Sequence, residues 1–367
     1  MDLALLIGHF PPAAYGGAEL QAEGWAKRLA TRHRVTVLTR ADQERPPGRE
    51  ARDGFDLVRL PVSRVPGWRS VSDVRAIEHA LARLAPRPAL LLCFQTFISG
   101  LAGTWAGRRL GIPAVVWVRG EAEYRLGDSR LHRLLSPRVW RAAAGVIVQS
   151  ETGRSELLSE LERWSPAGVE RVRERLEVIE NGLELPELGP APANGRVLSV
   201  GRLIPDKGMD VVIAACARAG TPLTIAGEGP ERSRLGELAR RLAADVEFAG
   251  HLGREALAAS YAAARAVVLA ARRGEGLPNV VLEAFAHARP VVATPCAGTR
   301  DLVEDGVNGV LVPPGDVEAL AGTLARLALD PVAAQRLGSA GRATAERFAW
   351  ERVQPKLEAV ISRWSRV

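Results

Sequence analysis

Lysine is almost missing from this chain. Of 49 basic residues three are lysines (Lys27, Lys207 and Lys356) and the remaining 46 are arginines. A lysine between turn residues in such a chain marks a place where a compact point charge is wanted instead of a planar fork. Cysteine is equally sparse. Cys93, Cys216 and Cys296 are scattered among apolar neighbours, which excludes a disulfide framework or a cysteine metal cluster and points to a reducing compartment. Long apolar runs are lacking too. Runs such as 89–94 and 114–118 have strand length and fall far short of a membrane span. The start, MDLALLIGHFPP, has an acidic second residue and a five-residue apolar core. It is expected to be a first strand and not a signal peptide, which places the chain in the cytoplasm. No short-period repeat or low-complexity segment is present.

What is there suits a two-domain enzyme. The 367 residues are 47% hydrophobic and 25% charged, enough for two full cores. Strand and helix patterns alternate throughout, the signature of α/β folding with parallel sheets. Strands are expected at 3–8, 35–39, 57–60, 89–93, 114–118, 145–149 and 177–180, with helices at 18–30 and 74–84 among them. Residues 184–195, ELPELGPAPANG, are rich in Pro and Gly without periodicity and mark a linker. The expected domains are therefore 1–183 and 196–345, followed by a closing segment, 346–367, that carries an amphipathic helix.

The most informative stretch is RRGEGLPNVVLEAFAHARPV, residues 272–291. It holds Glu275 and Glu283, eight apart, around a Gly276-Leu277-Pro278 turn that opens a helix. Pro278 suits the first helical position, where its missing N–H costs nothing. The amides of Asn279, Val280 and Val281 then become first-turn donors aimed at an anion. Amides for a diphosphate and carboxylates for hydroxyls suit a nucleotide sugar. Helix starts also carry Pro and acidic residues for dipole reasons alone, so the context matters. Upstream, VLSVGRLIPDKG (197–208) reads as a buried strand ending at Gly201, with Arg202 and Lys207 straddling a Pro-Asp turn before a helix. Two cations at the carboxyl end of a strand make a diphosphate clamp; a solvated loop would also carry such charges. A further glycine turn, with Gly227 and Gly229, closes LTIAGEGP at 223–230.

In order, GRLIPDKG, IAGEGP, VEFAGHL, EGLPNVVLEAFAHARPVVAT and GVNGVLVPPGD resemble the second half of a retaining glycosyltransferase of family four. The resemblance covers most of 196–318 and continues in PPAAYGGAE near the start, where Gly16 and Gly17 form a glycine turn. It implies the GT-B architecture: two facing Rossmann-like domains with an interdomain cleft, the first taking the acceptor and the second the nucleotide-sugar donor. It also implies a metal-independent reaction without cofactor, and a closing helix that packs back on the first domain. Glu283 is assigned to the ribose hydroxyls and Glu275 to the donor sugar. Arg202, Lys207 and the amides after Pro278 would then neutralise the departing diphosphate. Gly16 and Gly17 would let the first loop approach donor phosphates or acceptor. A carboxylate intermediate on Glu275 and same-face attack within an ion pair both stay open.

Three places depart from the pattern. Where many members have a histidine after the strand 114–118, this chain has Arg119, which is always charged and accepts no proton. It is expected to hold a donor or acceptor oxygen or to bind an acidic acceptor, with Glu121 and Glu123 beside it as acceptor contacts. Two arginines, Arg272 and Arg273, follow Ala271, where a small polar residue is usual. Asp301 stands where glutamate is commoner, three residues after Gly298. His9 follows the first strand and suits either a place lining the cleft or, beside Phe and Pro, simple packing.

Charge is uneven. Residues 1–183 carry 27 basic and 21 acidic residues, while 184–367 carry 22 and 21. A basic first half suggests an anionic acceptor or peripheral contact with an anionic membrane. YRLGDSRLHRLLSPRVWR (124–141) interleaves Leu126, Leu131, Leu134, Leu135, Val139 and Trp140 with five arginines. It suits an interfacial helix or a core-packed helix with a basic outer face. Nucleic acid is not an expected partner, since no binding module accompanies the charge. The expected function is sugar transfer from a UDP- or GDP-type donor to a glycan, lipid-linked saccharide or small glycoside. The alternatives are nucleotide-sugar epimerisation or hydrolysis, and a non-catalytic binding module.

Overall fold

The computed structural model describes residues 1–12, 16–61, 69–189, 195–273 and 276–365, with backbone alone at 69–71 and 297. The chain divides into two compact units, Met1–Gly182 with Val353–Val367, and Leu183–Arg352.

The first unit opens with β1 (Asp2–Leu6), α1 (Gly17–Leu29), β2 (Arg34–Arg40), β3 (Gly48–Arg52), β4 (Phe55–Leu60) and α2 (Arg69–Arg83). There follow β5 (Leu90–Phe94), α3 (Leu101–Leu110), β6 (Ala114–Trp117), α4 (Glu121–Tyr124) and α5 (Arg130–Ala142). It ends with β7 (Gly145–Val148), α6 (Glu151–Trp164), α7 (Val169–Arg173) and β8 (Leu176–Val178). The sheet runs β3-β4-β2-β1-β5-β6-β7-β8. Every pairing is parallel except β3 with β4. That antiparallel edge hairpin was not expected. Its signal was the Asp53-Gly54 pair, whose φ values of 49° and 85° are those of a tight hairpin turn.

The strands read as near-continuous apolar runs because both faces are covered. Along β1, Ala4 and Leu6 join one core with Ala102 and Ala106 of α3 and Val139 of α5. Leu3 and Leu5 are buried as well. Trp117 of β6 packs against Trp25 of α1 and Phe94 of β5, with ring centroids 5.5 and 5.1 Å apart.

The second unit contains β9 (Val197–Val200), α8 (Met209–Ala219), β10 (Leu223–Ala226), α9 (Arg232–Arg241), β11 (Val246–Gly250) and α10 (Arg254–Ala263). It continues through β12 (Ala266–Leu269), α11 (Asn279–Ala286), β13 (Val291–Ala293), α12 (Ala297–Arg300) and β14 (Val310–Leu311). α13 (Val317–Leu329) and α14 (Pro331–Ala345) follow. Its sheet, β11-β10-β9-β12-β13-β14, is parallel throughout. Adjacent residues enter opposite cores: Leu198, Val267 and Val291 one, and Val197, Val268 and Val292 the other.

α15 (Trp350–Trp364) starts in the second unit and contributes its residues from Val353 to the first. Val353, Leu357, Val360 and Ile361 are buried, an i, i+4, i+7, i+8 stripe that forms one helix face. Glu358 meets His33 at 2.8 Å and Lys356 meets Glu180 at 2.8 Å, all within the first unit.

Both sheets have the doubly wound order in which the chain reverses direction next to its first strand. Ligands of such sheets bind outside the carboxyl ends of the strands at that reversal. The reversal falls between β1 and β5 in the first unit and between β9 and β12 in the second.

Candidate functional site

In the second unit Gly201, Arg202 and the loop into α11 follow the two strands that flank this reversal. β9 delivers Gly201 and Arg202, and β12 delivers Ala271, Arg272 and the loop into α11. Close backbone packing sets the floor. A Cβ on Gly227 would lie 1.9 Å from the Gly201 carbonyl oxygen, so only glycine lets the two strand-end turns meet. Gly298 plays a similar part below α11, where a Cβ would sit 1.2 Å from the Gly276 oxygen. That close approach seats the Gly276-Leu277 turn, with Leu277 buried.

Arg202 is exposed and Lys207 half-buried. Between them Leu203 is wholly buried, and its backbone exchanges bonds with Glu228 and Glu231 at 2.8 and 3.0 Å. The Pro205–Lys207 turn is braced from the other side by Arg272. The Arg272 backbone N–H donates to the Asp206 carbonyl (2.8 Å), Nη1 to the Pro205 carbonyl (2.7 Å) and Nη2 to Asp210 Oδ2 (2.8 Å). The hydrogen bond to Asp210 raises the Arg272 pKa. This bracing is what the unusual arginine does. Arg273 beside it is exposed.

The start of α11 corrects two expectations. Pro278 is the cap before the helix, with φ −73° and ψ 112°, and Asn279 is the first helical residue. The Val281 amide is spent on the Pro278 carbonyl at 3.1 Å, because extended backbone at Pro278 turns its carbonyl toward the first turn. Among the described residues the Val280 amide has no backbone acceptor and stays as a first-turn donor. Glu275 lies outside the described residues.

Glu283, one turn further on, is half-buried. Burial pushes its carboxyl up to about 7, against the lowering influence of the nearby Tyr261 hydroxyl and Arg254. Tyr261 of α10 is buried, and its hydroxyl faces that carboxyl without a well-formed hydrogen bond. The Tyr261 ring stacks on His287 at 5.5 Å, and His287 Nδ1 lies 2.8 Å from the Glu283 carbonyl oxygen. Neither Tyr261 nor His287 carried a sequence signal, since each belongs to a pattern that reads as ordinary helix.

In the first unit, Gly16 caps α1 and Gly17 is its first residue, while 13–15 of the preceding loop lie outside the described residues. His9 is exposed. The loop after β5 is strained: Gln95 has φ 91° and Ile98 φ 64°, and a β-branched residue at positive φ is a true outlier. Ser99 Oγ donates to the Phe94 and Gln95 carbonyls, and Trp140 Nε1 to Thr96 Oγ1 at 3.0 Å.

Arg119 follows β6 and is only 8% exposed. Its guanidinium lies over Trp117 and Phe94, 5.1 and 5.7 Å from their centroids. Nη2 donates to Asn181 Oδ1 at 3.0 Å, and Gln149 Nε2 donates to the same oxygen at 2.6 Å. Burial lowers the Arg119 pKa to about 10, opposed by the charges of Glu123 and Glu19. The Glu123 carboxylate accepts the backbone N–H groups of Thr96 (2.7 Å) and Arg119 (3.2 Å) and so ties the β5 and β6 loops together. Glu121 is buried and paired with Arg125 at 2.9 Å on its own helical turn.

The basic segment after α4 divides by depth. Leu126, Val139 and Trp140 are core, whereas Leu131 and Leu134 are 57% and 52% exposed on α5. No helix among the described residues is long and apolar enough to cross a membrane.

Comparison with known proteins agrees with this geometry. The family model described as glycosyl transferases group 1 matches residues 194–330, and the glycosyl transferase 4-like domain matches 16–182. A glycogen synthase of Mycobacterium tuberculosis is 32% identical over 322 residues, covering 82% of this chain and 70% of that one. An exopolysaccharide phosphotransferase of Streptomyces coelicolor is 31% identical over 220 residues, but this chain spans only 22% of its length. Anabaena HepE, solved in complex with UDP-glucose, superposes with a TM-score of 0.77 at 20% identity, covering 99% of this chain and all of that one.

Proposed function

The chain belongs to the group 1 glycosyl transferases, with the GT-B fold, and we propose that it transfers a sugar with retention from a UDP- or GDP-linked donor. The acceptor would be a glycan, a lipid-linked saccharide or a small glycoside. The observation that supports this reading is the Pro205–Lys207 turn, which follows β9 and is held by Arg272 at the end of β12, the strand that leads into α11 and Glu283, at the reversal of the second sheet. Charge grows on the diphosphate as the glycosidic bond breaks. Cations and amides already held in place stabilise that charge more in the transition state than in the ground state. Arg202, Lys207 and the Val280 amide supply this countercharge without a metal. Ionised Glu283 accepts hydrogen bonds from the donor's ribose, and Glu275 addresses the donor sugar. The complex of HepE with UDP-glucose supports a uridine donor among the options.

The test is a thermal-shift screen of purified protein against UDP, GDP, ADP and CDP sugars with EDTA present. Stabilisation by one base, lost in Glu283→Ala, supports the assignment. No stabilisation by any of them overturns it. Transfer to an added acceptor, against release of free sugar, then separates a transferase from a hydrolase.

The first unit also suits peripheral contact with an anionic membrane. Exposed Leu131 and Leu134 on α5 stand among exposed Arg130 and Arg138, the composition of a helix that lies in the headgroup layer. Co-sedimentation with phosphatidylglycerol vesicles, weakened by Leu131→Ser with Leu134→Ser, supports this. Equal pelleting with phosphatidylcholine vesicles rejects it.

A further inference from the structure

We propose that Arg119 receives a negatively charged oxygen group, a carboxylate or phosphate, on the saccharide this enzyme handles; the proposal rests on the glycosyltransferase reading above. Among the described residues, Nε and Nη1 of Arg119 have no hydrogen-bond partner although the side chain is buried. Only Nη2 is engaged, by Asn181.

An arginine stripped of water and left with unpaired N–H groups is costly, and such groups in a native fold ask for a partner not yet in place. The surrounding groups hold the guanidinium still without satisfying it. Asn181 is oriented by Gln149, and Trp117 lies under the guanidinium plane. The nearest acid, Glu123, spends its carboxylate on two backbone N–H groups, so it does not pair with the guanidinium. A charge with fixed orientation and unused donors is what an oxyanion receptor requires, because charge-assisted bonds are short and directional.

Position agrees. Arg119 follows β6, Gln149 follows β7 and the strained turn at Gln95 follows β5. All three are at the carboxyl ends of neighbouring parallel strands, where such sheets take ligands. Glu123 and Glu19 act on the guanidinium only through space; a neutral sugar hydroxyl would add no charge, whereas a carboxylate or phosphate supplies both charge and acceptors.

The experiment measures affinities of the full chain for glucose 6-phosphate and glucuronate against glucose. It also compares UDP-glucuronate with UDP-glucose and GDP-mannuronate with GDP-mannose, all at matched ionic strength. The same set is run on Arg119→Met, which keeps an unbranched side chain of similar length and removes the buried charge. Wild type is expected to prefer the charged member of at least one pair by about tenfold or more. Arg119→Met should lose that preference and melt no lower, since an unpaired buried charge has gone. Preference within the free sugars places the anion on the acceptor; preference within the nucleotide sugars places it on the donor. Equal affinity for charged and neutral members in wild type overturns the proposal, as does a preference that survives Arg119→Met. Should Arg119→Met not fold, the wild-type preference and its partial retention in Arg119→Lys decide the matter. Failure of every nucleotide sugar to bind, with charged free sugars still preferred, tells against the donor assignment alone.

Discussion

Arg272 Nη2 lies 2.8 Å from Asp210 Oδ2, and this pair locks the exit of β12 to the first turn of α8 around the Pro205–Lys207 turn. Two cations separated by a flexible turn would lose entropy on gripping a diphosphate. A turn pinned by three bonds from one arginine has already lost it.

Arg272→Ala is therefore expected to lower kcat/KM by roughly 10- to 100-fold through misplacement of Lys207. It should cost only about 1 kcal/mol of stability, as the pair is partly exposed. Steady-state kinetics beside a melting curve check both. An equal loss in both readouts would mean a merely structural brace.

Arg202→Ala combined with Lys207→Ala is expected to abolish turnover while the melting temperature holds, because neither side chain is part of the core. Wild-type activity in the double variant would reject the clamp.

Glu283 makes a prediction in pH. Its carboxyl is raised from 4.5 to about 7 by burial, so between those values the folded state holds a proton that the unfolded state has lost. Stability conferred by that proton is complete below about 4.5 and lost as pH rises through about 7. Each pKa unit corresponds to about 1.4 kcal/mol. Glu283→Gln should therefore stabilise the ligand-free protein above pH 7, by at most about 3 kcal/mol. Donor binding favours the ionised, accepting carboxylate. Donor affinity of the wild type should thus rise about tenfold from pH 6 to pH 8, a rise absent in Glu283→Gln. Titration calorimetry at both pH values reads it.

Gly298→Ala would place a methyl group against the Gly276 oxygen and displace the turn before α11. The expected result is loss of donor stabilisation in the thermal-shift screen, with a destabilisation of about 1–3 kcal/mol. Unchanged donor affinity would show that the turn does not seat the donor.

Much of this was legible in residue order. Apolar runs such as LALL and AVVL specify strands covered on both faces, since burying them on one side alone would leave apolar surface in water. The glycine turns announce close backbone approach because no other residue has room there. The lone Lys207 among arginines singled out a loop that the fold delivers to the sheet reversal. The helical place of Glu283, one turn into α11, was legible from Pro278, which marked the helix start. The sequence pattern was weaker at the edges. Asp53-Gly54 encoded a hairpin that the charged strand Gly48–Arg52 obscured, and Pro278 fell one place outside the helix.

What residue order determined by itself was the pair of doubly wound sheets and the family, since these follow from local periodicity and turn chemistry. Only the tertiary structure decided what the anomalous residues do. Arg272 became a brace because β12 and the Pro205–Lys207 turn meet in space, although they are more than sixty residues apart in the chain. Glu121 became an ion-pair partner of Arg125, and Glu123 a tie between two loops. Arg119 became a buried charge with unspent donors because Trp117, Asn181 and Gln149 converge on it from separate segments. Burial and hydrogen-bond satisfaction belong to the folded surroundings of a side chain, which no spacing along the sequence records.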